Sequence, residues 1–144
     1  MSLLLLENFA SAWNAHDVEA LLNLVTDDCI FESASGSDVH GHRTVGKMAL
    51  RQAFPAAWQK WPDARWLDAC HWVSGHRGVS EWTFTGTDVD GNLTEVRGVD
   101  LFEIENGLET FAKKDILKFN ESLINSSAEF FESIRAFEDI TNVI

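Results

Sequence analysis

The sequence contains no tyrosine, although 6 tryptophans and 10 phenylalanines are present among its 144 residues. No phenol hydroxyl can therefore act as an acid or as a hydrogen-bond donor in this protein. Cysteine is also scarce, with two in the chain. Cys29 and Cys70 have no CxxC spacing, and this pattern predicts two reduced, buried thiols in a protein that we expect in the cytoplasm.

Basic residues are few, because 11 Lys and Arg stand against 23 Asp and Glu, and the formal net charge is −12. Nucleic acids and anionic membrane surfaces are bound by clusters of basic side chains, so both are disfavoured as partners. The apolar run at residues 3–6 is too short to cross a bilayer and has no basic flank or cleavage site. It predicts the start of a helix.

The length fits one domain, and 45% hydrophobic with 24% charged residues is ordinary for a globular protein. Helical spacing of apolar residues predicts a first helix over residues 2–14, in which Leu5, Leu6, Phe9 and Trp13 are buried. A second helix is expected to begin at an Asp17 N-cap and to end at residues 27–28, followed by a short strand at 29–33. A loop is predicted over 34–46.

A third helix is predicted from about residue 47 to 61, with a break at Pro55, which has no N–H to donate. Strands are predicted at residues 65–74, 79–85, 93–104 and 108–118, which gives an α+β fold with a four-stranded antiparallel meander. The tail at residues 126–140 has the pattern of a separate amphipathic helix.

Asp100 lies in a predicted strand on the same side as the apolar residues Phe102 and Ile104. Asn106 and Gly107 have the composition of a two-residue hairpin turn, which would set Asp100 opposite Lys113 and Phe102 opposite Phe111.

In that register Asp100, Phe102, Phe111, Lys113 and Asp115 share one face. A one-residue bulge would instead turn Lys114 inward and Asp115 outward. The shared face is either an apolar cavity with a few polar groups, or a surface on which Asp100 and Lys113 form a cross-strand ion pair.

Aromatic side chains alternate on other strands. Trp82 and Phe84 alternate with Ser80, and Trp72 alternates with Cys70, so each set either lines a cavity for a flat ligand or belongs to the ordinary core. Trp58, Trp61 and Trp66 bracket the turn at residues 62–63 and are expected at the rim.

Histidines cluster loosely in the sequence. Asp38, His40 and His42 alternate in one loop, and His71 and His76 lie near Cys70. Their spacing matches no compact metal motif, so we expect neither a metal nor another cofactor.

The order of elements resembles the SnoaL-like branch of the nuclear transport factor 2-like (NTF2-like) superfamily, which includes ketosteroid isomerases and polyketide cyclases. The resemblance is carried by six stretches in order: WNAHDVEALLNLVTDDCIFES, GKMALRQAF, WPDARW, GVSEWTFTGT, VRGVDLFEIENG and KKDILK. It implies a cone-shaped barrel over residues 1–120, with three N-terminal helices packed on a curved antiparallel sheet. Residues 121–144 would form a helical extension.

For the site, the resemblance implies that Asp100 stands where ketosteroid isomerases have a protonated carboxylic acid that helps to bind an oxyanion, and where SnoaL-like cyclases have their acid/base aspartate. It also implies that Ser33 stands where an isomerase has its general base, and Phe9 where it has its oxyanion-binding tyrosine. Ketosteroid isomerase activity is therefore not expected.

We expect catalysis from Asp100 with Asp115 or Lys113 beside it. Binding of a small hydrophobic ligand is expected from Phe9, Trp13, Phe31, Ser33, His42, Trp58, Trp82, Phe84, Phe102 and Phe111. The function is either a cofactor-independent lyase, isomerase or cyclase reaction on a carbonyl compound, or non-catalytic binding of an apolar metabolite. Val99, Leu101 and Ala112 would lie on the opposite, convex face of the same hairpin. An apolar face of this kind needs to be covered, which predicts a homodimer packed sheet to sheet.

Overall fold

The computed structural model describes residues 2–33, 35–105 and 110–118, and it describes side chains for 3–33 and 35–105. The predicted turn at Asn106 and Gly107 and the predicted tail helix lie outside the described residues, as does the proposed domain boundary near residue 120.

In the described residues, four helices and six strands form an α+β fold. The helices are α1 (Ser2–Asn14), α2 (Val18–Asn23), α3 (Lys47–Ala53) and α4 (Pro55–Lys60). The strands are β1 (Val25–Ser33), β2 (His42–Val45), β3 (Arg65–Ser74), β4 (Arg77–Thr87), β5 (Leu93–Glu105) and β6 (Thr110–Lys118). They form one sheet in the order β2-β1-β6-β5-β4-β3, in which β1 and β6 are parallel and the other pairs are antiparallel.

The predicted helix starts and the proline break are confirmed. Asp17 caps α2 by accepting a hydrogen bond from Ala20 N at 3.0 Å. Pro55 is the first residue of α4, where a missing N–H costs no intrahelical bond, and Phe54 separates α4 from α3.

Two predictions around β1 are wrong. The second helix ends at Asn23 rather than at residues 27–28, because Val25 already pairs with β6 and begins the strand. The predicted loop at 34–46 contains β2, which extends the sheet beyond the predicted four-stranded meander. Arg43 Nε donates to Glu32 Oε1 at 2.6 Å across this strand pair and holds the short edge strand in register.

The main core lies between α1 and the sheet. Leu5, Leu6, Phe9 and Trp13 are buried, as their spacing predicts, and they pack with Phe102 and other buried residues. Each large apolar side chain buried in this way stabilises the fold by roughly 1.5–3 kcal/mol. The core therefore fixes α1 against the strands that carry Asp100 and its neighbours.

The register between β5 and β6 differs from the simple hairpin prediction. Asp100 pairs with Ile116, whereas Lys113 pairs with Glu103 and Asp115 pairs with Leu101. A two-residue turn would pair Glu105 with Leu108, but Glu105 pairs with Thr110, and a further shift in register lies between Glu103 and Ile104. With this shift Lys114 pairs with Phe102, which matches the bulged alternative. The prediction that Lys113 and Asp115 share the strand face of Asp100 is therefore wrong.

The other face of β5 bears on the predicted homodimer. Val99 is 0% exposed within the single chain, so its burial does not require a second copy. The homodimer stays a prediction.

Candidate functional site

A bulge in β3 decides which of its side chains face α1. Leu67 pairs with Thr83 and Cys70 pairs with Glu81, so three steps on β3 match two steps on β4. Asp68 is the extra residue, with a positive φ of 53°. As a result Ala69 and His71 lie on the same face as Trp66, and all three line one cavity.

The same bulge overturns two predictions. Cys70 is exposed, not buried, although Cys29 is buried and both are free thiols. Trp72 pairs with Val79, one step from the pair formed by His71 and Ser80, so it lies on the opposite face of the sheet from the cavity.

Three polar residues form a row across β3, β4 and β5 on the cavity face. His71 pairs with Ser80, and Ser80 pairs with Asp100. His71 Nδ1 and Ser80 Oγ are 2.7 Å apart, which is a hydrogen bond. Ser80 is 4% exposed and Asp100 is 6% exposed. Asp100 therefore points to the core side of its strand, as Phe102 does.

Apolar and aromatic side chains surround this row. The cavity is lined by Leu6, Phe9, Ala10, Trp13, Trp66, Ala69, His71, Ser80, Trp82, Asp100 and Phe102. The recess has about 330 Å³ including its open mouth, and about 20 Å³ of enclosed space, which is room for roughly one water molecule. Only the end of a ligand would reach the enclosed part unless the aromatic side chains move.

Gly98 makes room for Trp82 on the neighbouring strand. The two residues are partners on β5 and β4, and a Cβ on Gly98 would lie 2.3 Å from the Trp82 six-membered ring. Only glycine lets the indole occupy this position, one pair along the sheet from Ser80 and Asp100.

Two hydrogen bonds with the Asn14 side chain, at the end of α1, hold the backbone of Trp66 in place. Asn14 Nδ2 donates to Trp66 O at 2.9 Å, and Trp66 N donates to Asn14 Oδ1 at 2.8 Å. This amide holds the end of α1 against β3 and sets the distance between the helix and the sheet at the cavity.

Burial controls the charge of His71. Loss of hydration lowers the pKa of its imidazole, and the nearby carboxylate of Glu7 opposes that shift only in part. His71 is therefore neutral at neutral pH and can either donate a hydrogen bond through Nδ1 or accept one there, depending on its tautomer.

The structure brings five of the predicted site residues together at the cavity: Phe9, Trp13, Trp82, Asp100 and Phe102. Phe9 packs edge-on against Phe102, with ring centroids 5.6 Å apart. Leu6, Ala10, Ala69, His71 and Ser80 also line the cavity but were not among the predicted site residues. The position of Ser80 could have been inferred from the sequence, because Ser80 alternates with Trp82 on one strand. The bulge that turns His71 toward the cavity leaves no recognisable pattern in the sequence.

Other predicted ligand-binding residues lie elsewhere. Phe31 packs on Phe54 in the main core, and Phe84 packs between Trp61 and Trp66 in a second cluster. Trp58 stacks on His16 and also contacts Trp13.

Ser33 and His42 are partners on β1 and β2. Neither lines the cavity, because both lie at the far end of the sheet order from β3 and β4. The prediction of a ligand contact for Phe31, Phe84, Trp58, Ser33 or His42 is not supported by their positions. The side chains of Phe111, Lys113 and Asp115 lie outside the described part of the chain.

The described residues contain neither a cluster of metal ligands nor a membrane-spanning helix. No group of three or more His, Cys, Asp or Glu side chains there is arranged to hold a metal ion. None of the helices in that part of the chain has both the length and the apolar character needed to span a membrane.

Comparison with solved structures shows the fold. A proposed polyketide cyclase from Pseudomonas putida KT2440 is similar with a TM-score of 0.71 and 20% identity, covering 85% of this chain and 93% of that one. An NTF2-like protein of unknown function from Mesorhizobium loti has a TM-score of 0.67 and 24% identity, covering 83% and 91%.

A protein with a ketosteroid isomerase-like fold from Catenulispora acidiphila DSM 44928, in complex with trimethylamine, has a TM-score of 0.68 and 13% identity, covering 78% and 83%. No curated protein matches the sequence significantly. The model of the SnoaL-like domain family matches residues 6–110, well over half of the chain. The protein thus belongs to the SnoaL-like domain family, and it shares the fold of an NTF2-like protein.

Proposed function

We propose that this protein binds a small apolar carbonyl compound and that Asp100 transfers a proton to or from a carbon atom next to the carbonyl group. The observation that carries the proposal is the position of Asp100, 6% exposed and lining a cavity whose other members are mostly aromatic and apolar. A mostly apolar cavity with a few convergent polar groups is typical of small-molecule sites.

The proposed step needs only one carboxyl group and no cofactor. The Asp100 carboxylate takes a proton from the carbon, and the electron pair of the broken C–H bond moves toward the carbonyl oxygen to form an enol or enolate. The protonated Asp100 then returns the proton to the same carbon or to another. Burial favours this exchange, because a carboxyl group that has lost hydration gains and loses a proton closer to neutral pH.

The reaction would differ from that of a ketosteroid isomerase. Phe9 is buried against Phe102 and has no hydroxyl, and Ser33 is at a strand end away from the cavity. The similarity to a proposed polyketide cyclase supports another conversion of a carbonyl compound within the same family.

The size of the cavity limits the ligand. The enclosed space of about 20 Å³ would hold the carbonyl oxygen end of a ligand only, so the rest of the ligand would lie in the open part of the recess. Trp13, Trp66 and Phe102 offer aromatic surfaces there for a flat ring.

A test that does not require the natural substrate is hydrogen isotope exchange. 2-Tetralone, a bicyclic ketone, is incubated with the protein in D₂O, and deuterium uptake is followed by mass spectrometry. We expect the protein to accelerate uptake, and Asp100→Asn to lower the accelerated rate by on the order of 10²- to 10⁴-fold, the usual contribution of general acid–base catalysis. Asp90→Asn, which makes the same change in an exposed turn, is the matched control.

A second function, binding without catalysis, is favoured by one observation. The described cavity has a single carboxyl group, and the phenol that isomerases use is replaced by Phe9. If 2-tetralone binds but wild-type protein and Asp100→Asn exchange deuterium equally slowly, the protein is a binding protein and the catalytic proposal is wrong.

A further inference from the structure

Two hydrogen-bonding side chains beside Asp100 have no role in the proton transfer described above. Ser80 is almost fully buried and lines the cavity, and Trp82, 6% exposed, lines it two residues further along β4. We propose that Ser80 and Trp82 bind the oxygen atom of the ligand, and that His71 is a positioning residue that orients the Ser80 hydroxyl. This inference rests on the proposed function, which it extends by naming how the carbonyl group is recognised.

Trp82 provides the first observation. Its Nε1 is buried and has no hydrogen-bond partner in the described part of the chain. A buried N–H is normally satisfied, so a donor without a partner among the described residues, in a residue that lines a cavity, is suited to an acceptor on a bound ligand. The indole has no acceptor of its own, and it therefore selects an oxygen with a free lone pair.

Ser80 provides the second observation. A serine hydroxyl has one proton and two lone pairs, and the bond to His71 Nδ1 uses one of these. When Nδ1 carries the proton and donates it to Ser80 Oγ, the Ser80 proton remains available to a ligand. His71 is the hydrogen-bond partner that Ser80 Oγ has among the described residues.

The placement of these groups fits a carbonyl compound. Residues two apart on one strand face the same way and are separated by roughly 6.5–7 Å, so Ser80 and Trp82 lie side by side. Asp100 is the cross-strand partner of Ser80 and Gly98 is that of Trp82. The row therefore has two donors on β4 and one carboxyl group on β5, with the space above Gly98 taken by the indole ring.

This arrangement predicts the class of ligand. Its oxygen would accept hydrogen bonds from Ser80 and Trp82, while the carbon next to the carbonyl faces Asp100. Negative charge that develops on the oxygen as the proton leaves would be stabilised by both donors. A ketone that can form an enol and that is attached to an apolar ring meets these requirements, whereas a hydrocarbon of the same shape does not.

His71 makes the binding of the oxygen dependent on pH. A protonated imidazole must donate through Nδ1, so the Ser80 proton is then always directed away from His71. We therefore expect affinity for a carbonyl compound to rise as the pH falls through the titration of His71. Among the described residues, the titratable groups near His71 are Glu7 of α1, whose charge acts on it, and Asp100 of β5, which lines the same cavity. Measuring Asp100→Asn in parallel separates the titration of His71 from that of Asp100.

The test compares two probes that differ in one oxygen. Binding of 2-tetralone and of tetralin, its hydrocarbon counterpart, is measured by ligand-observed NMR for wild-type protein, Ser80→Ala and Trp82→Phe. Each substitution is expected to weaken 2-tetralone about tenfold and to change tetralin binding less than twofold. Thr83→Ala, which removes a hydroxyl from the opposite face of β4, should alter neither.

The role of His71 is tested by measuring how ligand affinity depends on pH. Between pH 5 and 8, 2-tetralone affinity of wild-type protein and of Asp100→Asn should fall as pH rises, and His71→Gln and Ser80→Ala should lose this dependence. Circular dichroism and thermal unfolding establish whether each variant is folded. If the Ser80→Ala variant does not fold, the Ser80→Thr variant, which keeps the hydroxyl, should restore both folding and ligand affinity.

The outcomes separate this inference from the proposed function. If wild-type protein binds 2-tetralone in preference to tetralin through Ser80 but exchanges no deuterium, the inference stands and the catalytic proposal fails. If Ser80→Ala and Trp82→Phe weaken both probes equally, or if wild-type protein binds neither probe, the inference is overturned.

Discussion

Ser80 and Asp100 are partners on adjacent antiparallel strands, and both side chains are more than nine-tenths buried. Side chains directly opposite in such a pair are close neighbours on one face. The neighbouring positions of this face on β4 and β5 are Gly78, Trp82, Gly98 and Phe102, so the pair is flanked by apolar residues on both strands. Polar residues are rarely buried without a specific role.

Gly98→Ala should displace the side chain of Trp82, which lies next to Ser80 and Asp100 on this face. The added Cβ would lie 2.3 Å from the Trp82 ring, which must move. We expect a loss of about 1–3 kcal/mol in the free energy of unfolding, measured by urea denaturation. In a Trp82→Phe background the smaller ring leaves space, so the same change should cost less; equal costs in both backgrounds would show that the indole does not depend on Gly98.

The direction of Asp100 was predictable from sequence, because strict alternation with Phe102 and Ile104 puts the three on one face. The helix starts were predictable for a similar reason, since Asp17 and Pro55 act locally. The predictions for Lys113, Asp115, Cys70 and Trp72 failed at two irregularities, one in β3 at Asp68 and one between Glu103 and Ile104. One extra residue reverses the face of every residue beyond it, and alternation alone gives no sign of it.

The β3 bulge can be tested at Asp68, whose φ of 53° is in the left-handed region. A β-branched residue is strained there, so Asp68→Val should lower the free energy of unfolding by about 1–3 kcal/mol. Asp68→Gly, which is free of this strain, should be within about 0.5 kcal/mol of wild type. If both variants have the same stability, the bulge does not require this backbone conformation and the placement of His71 is in doubt.

His71 should make stability depend on pH. Burial lowers its pKa from the ordinary value of 6.5, so the unfolded chain binds a proton more readily than the folded one. The free energy of unfolding should therefore fall as pH drops below 6.5 toward the folded-state value, and His71→Gln should lose less stability over the same range. Urea denaturation at pH 7.5 and pH 5 gives the comparison, and an NMR titration midpoint for the His71 ring at or above ~6.5 would contradict it.

The proposed chemistry depends on Asp100 being a buried carboxyl group that can hold a proton near neutral pH. Carbon-detected NMR of the aspartate carboxyl groups, with Asp100→Asn to assign the signal, measures its pKa directly. The proposed proton transfer predicts a midpoint clearly above the ordinary ~3.9, because the group must hold a proton near neutral pH. A midpoint at or below ~3.9 would mean that Asp100 stays ionised as a structural charge, and the account of proton transfer would be wrong.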